Sequence, residues 1–278
     1  MDKINNGLKS RELYELISLQ PEIIEKLEVI GGREDLTQAE RYLDGMMDMD
    51  TAQQSYRDLK AFFEEDTDQL KMLYCQLECA RRLFRRYEEK GIPKNIYVDT
   101  MRCFTRFIEE CREKHGRMFF DRGWWTYRQV SMNIFRIGAL EYQFKEYEGD
   151  KVIGLHIPSD ADLSGESVDA SFRQAELFFG TYYKEYRYGK YTCNSWLMAP
   201  TLGSLLSEES NILAFQNRFD IIREDREDKE YIEWLFQVPA DTEYIDLPQR
   251  TSLQREVREL LLKGGTVGSA FGIMDYKP

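Results

Sequence analysis

Histidine and cysteine are scarce in this 278-residue chain, basic charge is in deficit, and long apolar runs are missing. The only two histidines, His115 and His156, are far apart, and the five cysteines (Cys75, Cys79, Cys103, Cys111 and Cys193) are odd in number and scattered. Such a set excludes a secreted disulfide framework and reads as reduced core thiols. Cys75 and Cys79 lie four apart, but no second close pair joins them, so no metal site is expected. Lysine and arginine total 38 against 50 acidic residues, a net charge of −12. That balance argues against nucleic acid as a partner, because a phosphate-backbone binder needs a basic stripe. It leaves room for one small anion held by a few backbone N–H groups. No run approaches about 18 uncharged apolar residues, and the opening MDKINNGLKSREL lacks the apolar core of a signal peptide. A soluble, cytoplasmic protein with no membrane partner is expected. No G-x-S-x-G elbow appears, so nothing supports a Ser-His-Asp hydrolase.

What is present is a chain 42% hydrophobic and 13% aromatic, long enough for two domains. Helical spacing dominates the first part. Ser10–Gln20 is short; Pro21 opens a helix that Gly31-Gly32 stops; Asp35–Leu43 and a segment from Thr51 follow. Asp68–Lys90 gives the strongest pattern, with Leu70, Leu73, Tyr74, Leu77, Phe84 and Tyr87 on one stripe, and Pro93 opens a further helix that Gly116 ends. The second part alternates between strand and helix patterns. A helix over Ser167–Tyr186 draws on Phe172, Leu177 and Phe178; strands are predicted over Tyr191–Met198, Phe219–Arg223, Tyr231–Val238 and Val267–Met274. Helices are predicted from Pro200, over Ser210–Arg218 and over Thr251–Lys263. The fold class is α+β: a helical bundle over 1–120, then over 121–278 a mixed β-sheet domain with flanking helices.

Asn133–Glu166 is the informative stretch. Two alternating runs flank Glu148-Gly149-Asp150, the pattern of a tight hairpin. Leu140, Tyr142 and Phe144 point one way, and Ile137, Ala139, Glu141 and Gln143 the other. A two-residue loop sets His156 opposite Glu141 or Gln143 on one face; a three-residue loop reverses the parity. That face, with a carboxylate, an amide and a histidine beside small residues, reads as a cavity floor. Taken alone, a histidine on such a mixed face is usually a hydrogen-bonded core histidine; the nearby Glu141 and the adjoining strand-to-helix loop raise His156 above that reading.

Pro158–Glu166 joins strand to helix, where oriented N–H groups receive phosphates. Ser159, Ser164 and Gly165 suit close backbone approach, whereas Asp160, Asp162 and Glu166 repel anions unless they point away; an ordinary capped helix start is the competing reading. Gln249 and Arg250 precede a capping box, Thr251 with Gln254, and suit either an anion or plain exposure. Arg81, Arg82, Arg85 and Arg86 form a basic cluster whose neighbours Glu78, Glu88 and Glu89 favour a solvated helix face. Gly264–Gly272 follows a helix and enters a strand, the reverse of a dinucleotide fingerprint.

The strings DRGWW, FRIGALEYQ, HIPSDADLS, NSWLMAP, ESNILAFQNRF, SLQRE and LLKGGTVGSAFG together resemble a bacterial acyltransferase family with a helical N-terminal domain and a GNAT-like C-terminal domain. The resemblance spans nearly the whole chain. It implies a sheet splayed to admit acyl-CoA or acetyl-CoA and N-acyl transfer to a small-molecule or peptide amine. Cofactor-binding positions then fall on Ile157, Ser159, Ala161, Ser164 and Gly165, with Gln249 and Arg250 as further anion holders. Catalysis needs a base for the amine, a role given to His156 with Glu141 orienting it or relaying the proton. The alternative is a non-catalytic binding protein that uses the same cleft for an acylated or peptidic ligand. The acidic loop favours that second reading, and the His156–Glu141 face favours the first.

Overall fold

A computed structural model describes residues 8–186 and 189–275. Residues 1–7, part of the opening stretch without an apolar core, lie outside the described residues. The chain divides into two compact units, Met1–Arg136 and Ile137–Pro278.

Among its described residues the first unit holds eight helices: α1 (Ser10–Leu16), α2 (Pro21–Ile30), α3 (Glu34–Met46), α4 (Ala52–Phe63), α5 (Leu70–Lys90), α6 (Lys94–Met101), α7 (Cys103–His115) and α8 (Gly123–Val130). Pro21 occupies the first turn of α2 as its missing N–H allows. Gly91 ends α5 and Gly116 ends α7, each with the left-handed backbone that glycine takes without a Cβ clash. The single helix expected after Pro93 is two, α6 and α7, separated at Arg102. The composition change at Asp121 marks α8, a helix of this first unit.

Helix α5 is central, touching α1, α2, α3, α4, α6 and α8. Its buried set is therefore wider than one stripe and includes Met72, Leu73, Cys75, Leu77, Cys79, Ala80, Leu83 and Tyr87. The Tyr97 hydroxyl donates to the Ala80 carbonyl at 2.8 Å, and the Tyr97 ring meets Tyr87 and Phe84 edge-on.

Among the described residues six strands make one sheet: β1 (Ile134–Ile137), β2 (Leu140–Tyr147), β3 (Asp150–His156), β4 (Tyr191–Ser195), β5 (Asp220–Asp225) and β6 (Ser269–Met274), in the order β1-β2-β3-β4-β6-β5. Pairs β2·β3, β4·β6 and β5·β6 are antiparallel, and β3·β4 is parallel. A parallel pair needs a crossover, which α9 (Gly165–Tyr182) supplies. The remaining helices are α10 (Asn211–Gln216), α11 (Glu230–Phe236) and α12 (Ser252–Leu262).

Three strand expectations change. The run from Ile137 is not one strand: β1 ends at Ile137, and β2 begins after the Gly138-Ala139 turn, where Gly138 has φ +62°. The strand from Tyr191 stops at Ser195, and Trp196–Met198 is a short 3-10 turn. Tyr231–Val238 is not a strand. Its apolar run forms α11, started by Asp228, which accepts the Glu230 N–H at 2.8 Å, with Tyr231, Ile232 and Phe236 buried.

One sheet face packs on α9 through aromatic rings. Tyr142 meets Phe172, Phe179 and Tyr191, and Phe144 meets Phe179, Tyr183 and Tyr186. Contrary to the sequence reading, Leu177 of α9 is 71% exposed, and Val168, Ser171, Ala175, Phe178 and Phe179 form its buried side. A second core gathers Leu202, Tyr231, Phe236, Val257, Leu261 and Val267 around α11 and α12.

Candidate functional site

The β2–β3 turn decides which side chains share a face. Glu148 and Gly149 both have positive φ, 54° and 87°, as a two-residue hairpin turn of type I′ requires. The register that follows opposes Glu141 to His156, Gln143 to Gly154 and Lys145 to Val152. Opposed residues project to the same side, so Glu141, Gln143, Lys145, Gly154 and His156 line one face, the one away from Tyr142 and Phe144. Glu141 and Gln143 are buried, at 3% and 8% exposure. His156, at the end of β3, is partly exposed. Its Nε2 lies 2.8 Å from Gln143 Oε1, a diagonal neighbour across the strand pair.

Gly154 keeps this floor low. A Cβ there would stand 2.6 Å from Lys145 Cδ, so the lysine stem lies across the space a side chain would fill. On the adjoining strand Thr192, opposite Gly154, is buried. Cys193 sits within the sheet, its thiol pushed by burial up to about 12, so it is no thiolate nucleophile at neutral pH.

Beside His156 the sheet opens. Register between β3 and β4 covers Ile153–Leu155 against Tyr191–Cys193 and ends there, although β4 continues beside β6 as far as Ser195 opposite Ala270. From that point residues 157–164 lead into α9. Ile157 and Ala161 are partly buried, Ser159 and Gly165 exposed, and the Ala161 N–H closes a turn onto the Pro158 carbonyl at 3.0 Å. Ser164 caps α9 by accepting from the Ser167 N–H. Asp162 folds onto that cap, accepting from the Ser164 N–H and hydroxyl, both at 2.9 Å. These bonds hold its carboxyl below the usual range. No heavy atom lies within 4 Å of where a Gly165 Cβ would stand, so the first turn is open at that point.

The structure thus sets His156, Glu141 and Gln143 on one floor that runs directly into Ile157, Ser159, Ala161, Ser164 and Gly165. Gln249 and Arg250 lie just before α12. Both are exposed, and their bonds serve their own helix start: the Arg250 N–H donates to Gln254 Oε1 at 2.7 Å, and the Gln249 carbonyl accepts from Arg255. The Thr251–Gln254 capping box is present. Lys145 and Thr192 were not singled out by sequence; the one signal for that part of the floor is a glycine inside a strand pattern, which marks close approach. Among the described residues no group of three or more His, Cys, Asp or Glu is arranged to hold a metal ion.

Comparison with known proteins accords with this geometry. Residues 9–132 match the family description "N-acyltransferase N-terminal domain", and residues 134–274 match "GNAT-like C-terminal domain". No curated protein matches the chain in sequence at a significant level. Among solved structures, an acyltransferase in complex with decanoyl-CoA and teicoplanin is similar at 21% identity, with TM-score 0.80, over 99% of this chain and 90% of that one. A complex with decanoyl-CoA is similar at 22% identity and TM-score 0.79, over 96% and 88%. A mutant acyltransferase with octanoyl-CoA is similar at 20% identity and TM-score 0.80, also over 96% and 88%. At these identities the likeness establishes the fold, and the two domain matches, in order and spanning most of the chain, establish that it belongs to the acyltransferase family built from a helical N-acyltransferase N-terminal domain and a GNAT-like C-terminal domain.

Proposed function

We propose that this protein moves an acyl group from acyl-CoA to an amine on a small molecule or peptide, with His156 as the base. The observation that carries the reading is the position of His156. It ends β3 one residue beyond the last β3–β4 pair, Leu155 with Cys193, its ring is bonded to Gln143, and the loop to α9 begins at the next residue. An extended pantetheine arm needs backbone at a strand edge, and the gap past that pair supplies one. The CoA phosphates then meet Ser159, Ser164, Gly165 and the start of α9, where backbone N–H groups favour anions. Support comes from the similar acyltransferases crystallised with decanoyl-CoA, octanoyl-CoA and teicoplanin.

The chemistry asks little else of the chain. The amine nitrogen bonds to the thioester carbonyl carbon, the C–S bond breaks, the amine proton goes to His156, and the leaving thiolate receives a proton. Glu141, opposite His156, orients the imidazole or relays its proton. The reaction belongs in the cytoplasm, where acyl-CoA is available and the five buried cysteines, none in a disulfide, stay reduced.

Decanoyl-CoA or CoA is expected to raise the melting temperature, since a ligand that binds only the native state stabilises it. His156→Gln should keep the fold and lose on the order of a hundredfold in turnover, the scale of a lost general base. Wild-type activity should rise with pH as the imidazole loses its proton, because only the neutral ring accepts one. A folded His156→Gln protein with full activity removes the assignment.

One observation favours a second reading. Asp162 occupies the capping turn at which a phosphate would arrive, and its charge opposes an anion. A binding protein using the same cleft for an acylated or peptidic ligand would give no shift with CoA and a shift with an acylated peptide.

A further inference from the structure

We infer that Gln143, and not Glu141, is the positioning residue for His156, which leaves Glu141 the relay: the Gln143 side-chain oxygen holds the imidazole proton on Nε2 and makes Nδ1 the nitrogen that receives the amine proton. The inference rests on the reading of His156 as the base and specifies which ring nitrogen acts and what sets it.

Three features of the floor carry it. The 2.8 Å contact joins Nε2 to an amide oxygen; an oxygen offers only lone pairs, so the bond requires a proton on Nε2. In the neutral ring the remaining lone pair is then on Nδ1, whatever else the ring meets. Gln143 is itself held: it lies within β2 at 8% exposure, paired through its backbone with Gly154. It is not a surface amide free to turn. Finally, the strand pairing aims it. Gly154, directly opposite, has no side chain to meet the amide, and the Lys145 stem lies over that glycine, so Gln143 has Lys145 on one side and His156 on the other. An amide acceptor orients the ring without adding a negative charge, whereas a carboxylate at the same place would favour the imidazolium and delay its deprotonation to higher pH.

With only two histidines in the chain, a long-range proton–nitrogen NMR spectrum resolves His156 from His115 without any substrate. Neutral His156 should show the Nε2–H tautomer, and Gln143→Leu should convert it to a mixture. Turnover is then followed as CoA release from decanoyl-CoA with teicoplanin as the probe acceptor. Gln143→Leu is expected to lower kcat on the order of tenfold while KM stays within about twofold, the signature of a lost transition-state interaction. Gln143→Glu should retain more turnover and move the acid limb of the pH profile upward by about one unit, as a carboxylate beside a cation does. An Nδ1–H tautomer in the wild type, or a Gln143→Leu protein with unchanged tautomer and kcat, overturns the inference. Loss in His156→Gln without loss in Gln143→Leu overturns it and leaves the base in place; full activity in His156→Gln overturns both.

Discussion

Gln76 shows how much one side chain can hold. It is fully buried in α5, its amide N–H donates to the Gly123 carbonyl at 2.9 Å, and its oxygen accepts from the Thr126 hydroxyl. One amide therefore satisfies two groups of α8 that water cannot reach. Thr126 keeps an alternative acceptor in the Arg122 carbonyl at 3.0 Å. Gln76→Leu preserves bulk and removes both bonds to these buried groups, at a cost of about 1–3 kcal/mol. Urea unfolding of the variant should show that loss; a change below about 0.5 kcal/mol would mean that α8 satisfies both groups within its own backbone. The arginine cluster of the same helix resolves in the same terms. Arg81 and Arg82 pair with Glu78, Arg82 also with Glu40, Arg85 pairs with Glu89, and Arg86 donates to the Met47 carbonyl. Burial would raise the Glu78 carboxyl, yet the two arginines outweigh it and hold the group below its usual value. These cations knit helices together, so no phosphate patch is built from them.

At the scale of elements, two turns separate conformational strain from crowding. Gly149, in the β2–β3 turn, has φ +87° and nothing within 4 Å of an added Cβ. Gly138, in the β1–β2 turn, has φ +62°, and an added Cβ would stand 3.1 Å from Ser171 Cα and Cβ. Ser171 is not free to retreat, since its hydroxyl donates to the Ile137 carbonyl and meets the Tyr142 hydroxyl at 2.8 Å. Gly149→Ala should therefore cost about 1 kcal/mol, the penalty of the left-handed region alone, and Gly138→Ala measurably more by thermal unfolding. Equal losses would show that α9 yields without penalty. The same turns explain what could be read in advance. The β2–β3 register is legible because Gly149 marks a short loop between two alternating runs, and parity then dictates the faces of Glu141, Gln143 and His156. Strand β1 is hidden because Ile134, Phe135 and Ile137 are all buried, which gives no alternation to follow. A run as short and apolar as Tyr231–Phe236 carries no period that separates strand from helix. Helical spacing also runs on across Arg102, where neither glycine nor proline marks the break. Of the floor, His156 and Glu141 were legible from parity; that the imidazole reaches diagonally to Gln143 depends on the empty position at Gly154 and on where the Lys145 stem lies, which strand parity does not contain.

The whole molecule adds a field to this local geometry. With 38 basic and 50 acidic residues the net charge is −12, and the loop leading into α9 adds Asp160 and Asp162, and the first turn of α9 adds Glu166, near the proposed phosphate positions. On the proposed reaction the two substrates carry opposite charge: CoA is a polyanion, and an amine arrives as a cation. The protein field thus repels one and gathers the other. Raising ionic strength from about 0.01 M to about 0.1 M shortens the Debye length from about 30 Å to about 10 Å and screens both effects. KM for acyl-CoA should fall as salt rises, and KM for a cationic acceptor should rise, while kcat at saturation changes little because the bond-forming step is sheltered from bulk ions. Steady-state kinetics at several concentrations of potassium chloride, at constant pH, checks both slopes at once. Like signs for the two substrates would mean that salt acts on the fold and not on encounter. A rising KM for acyl-CoA would mean that local cations outweigh the net charge at the CoA site, and the search for the phosphate-binding residues would then move away from the acidic loop.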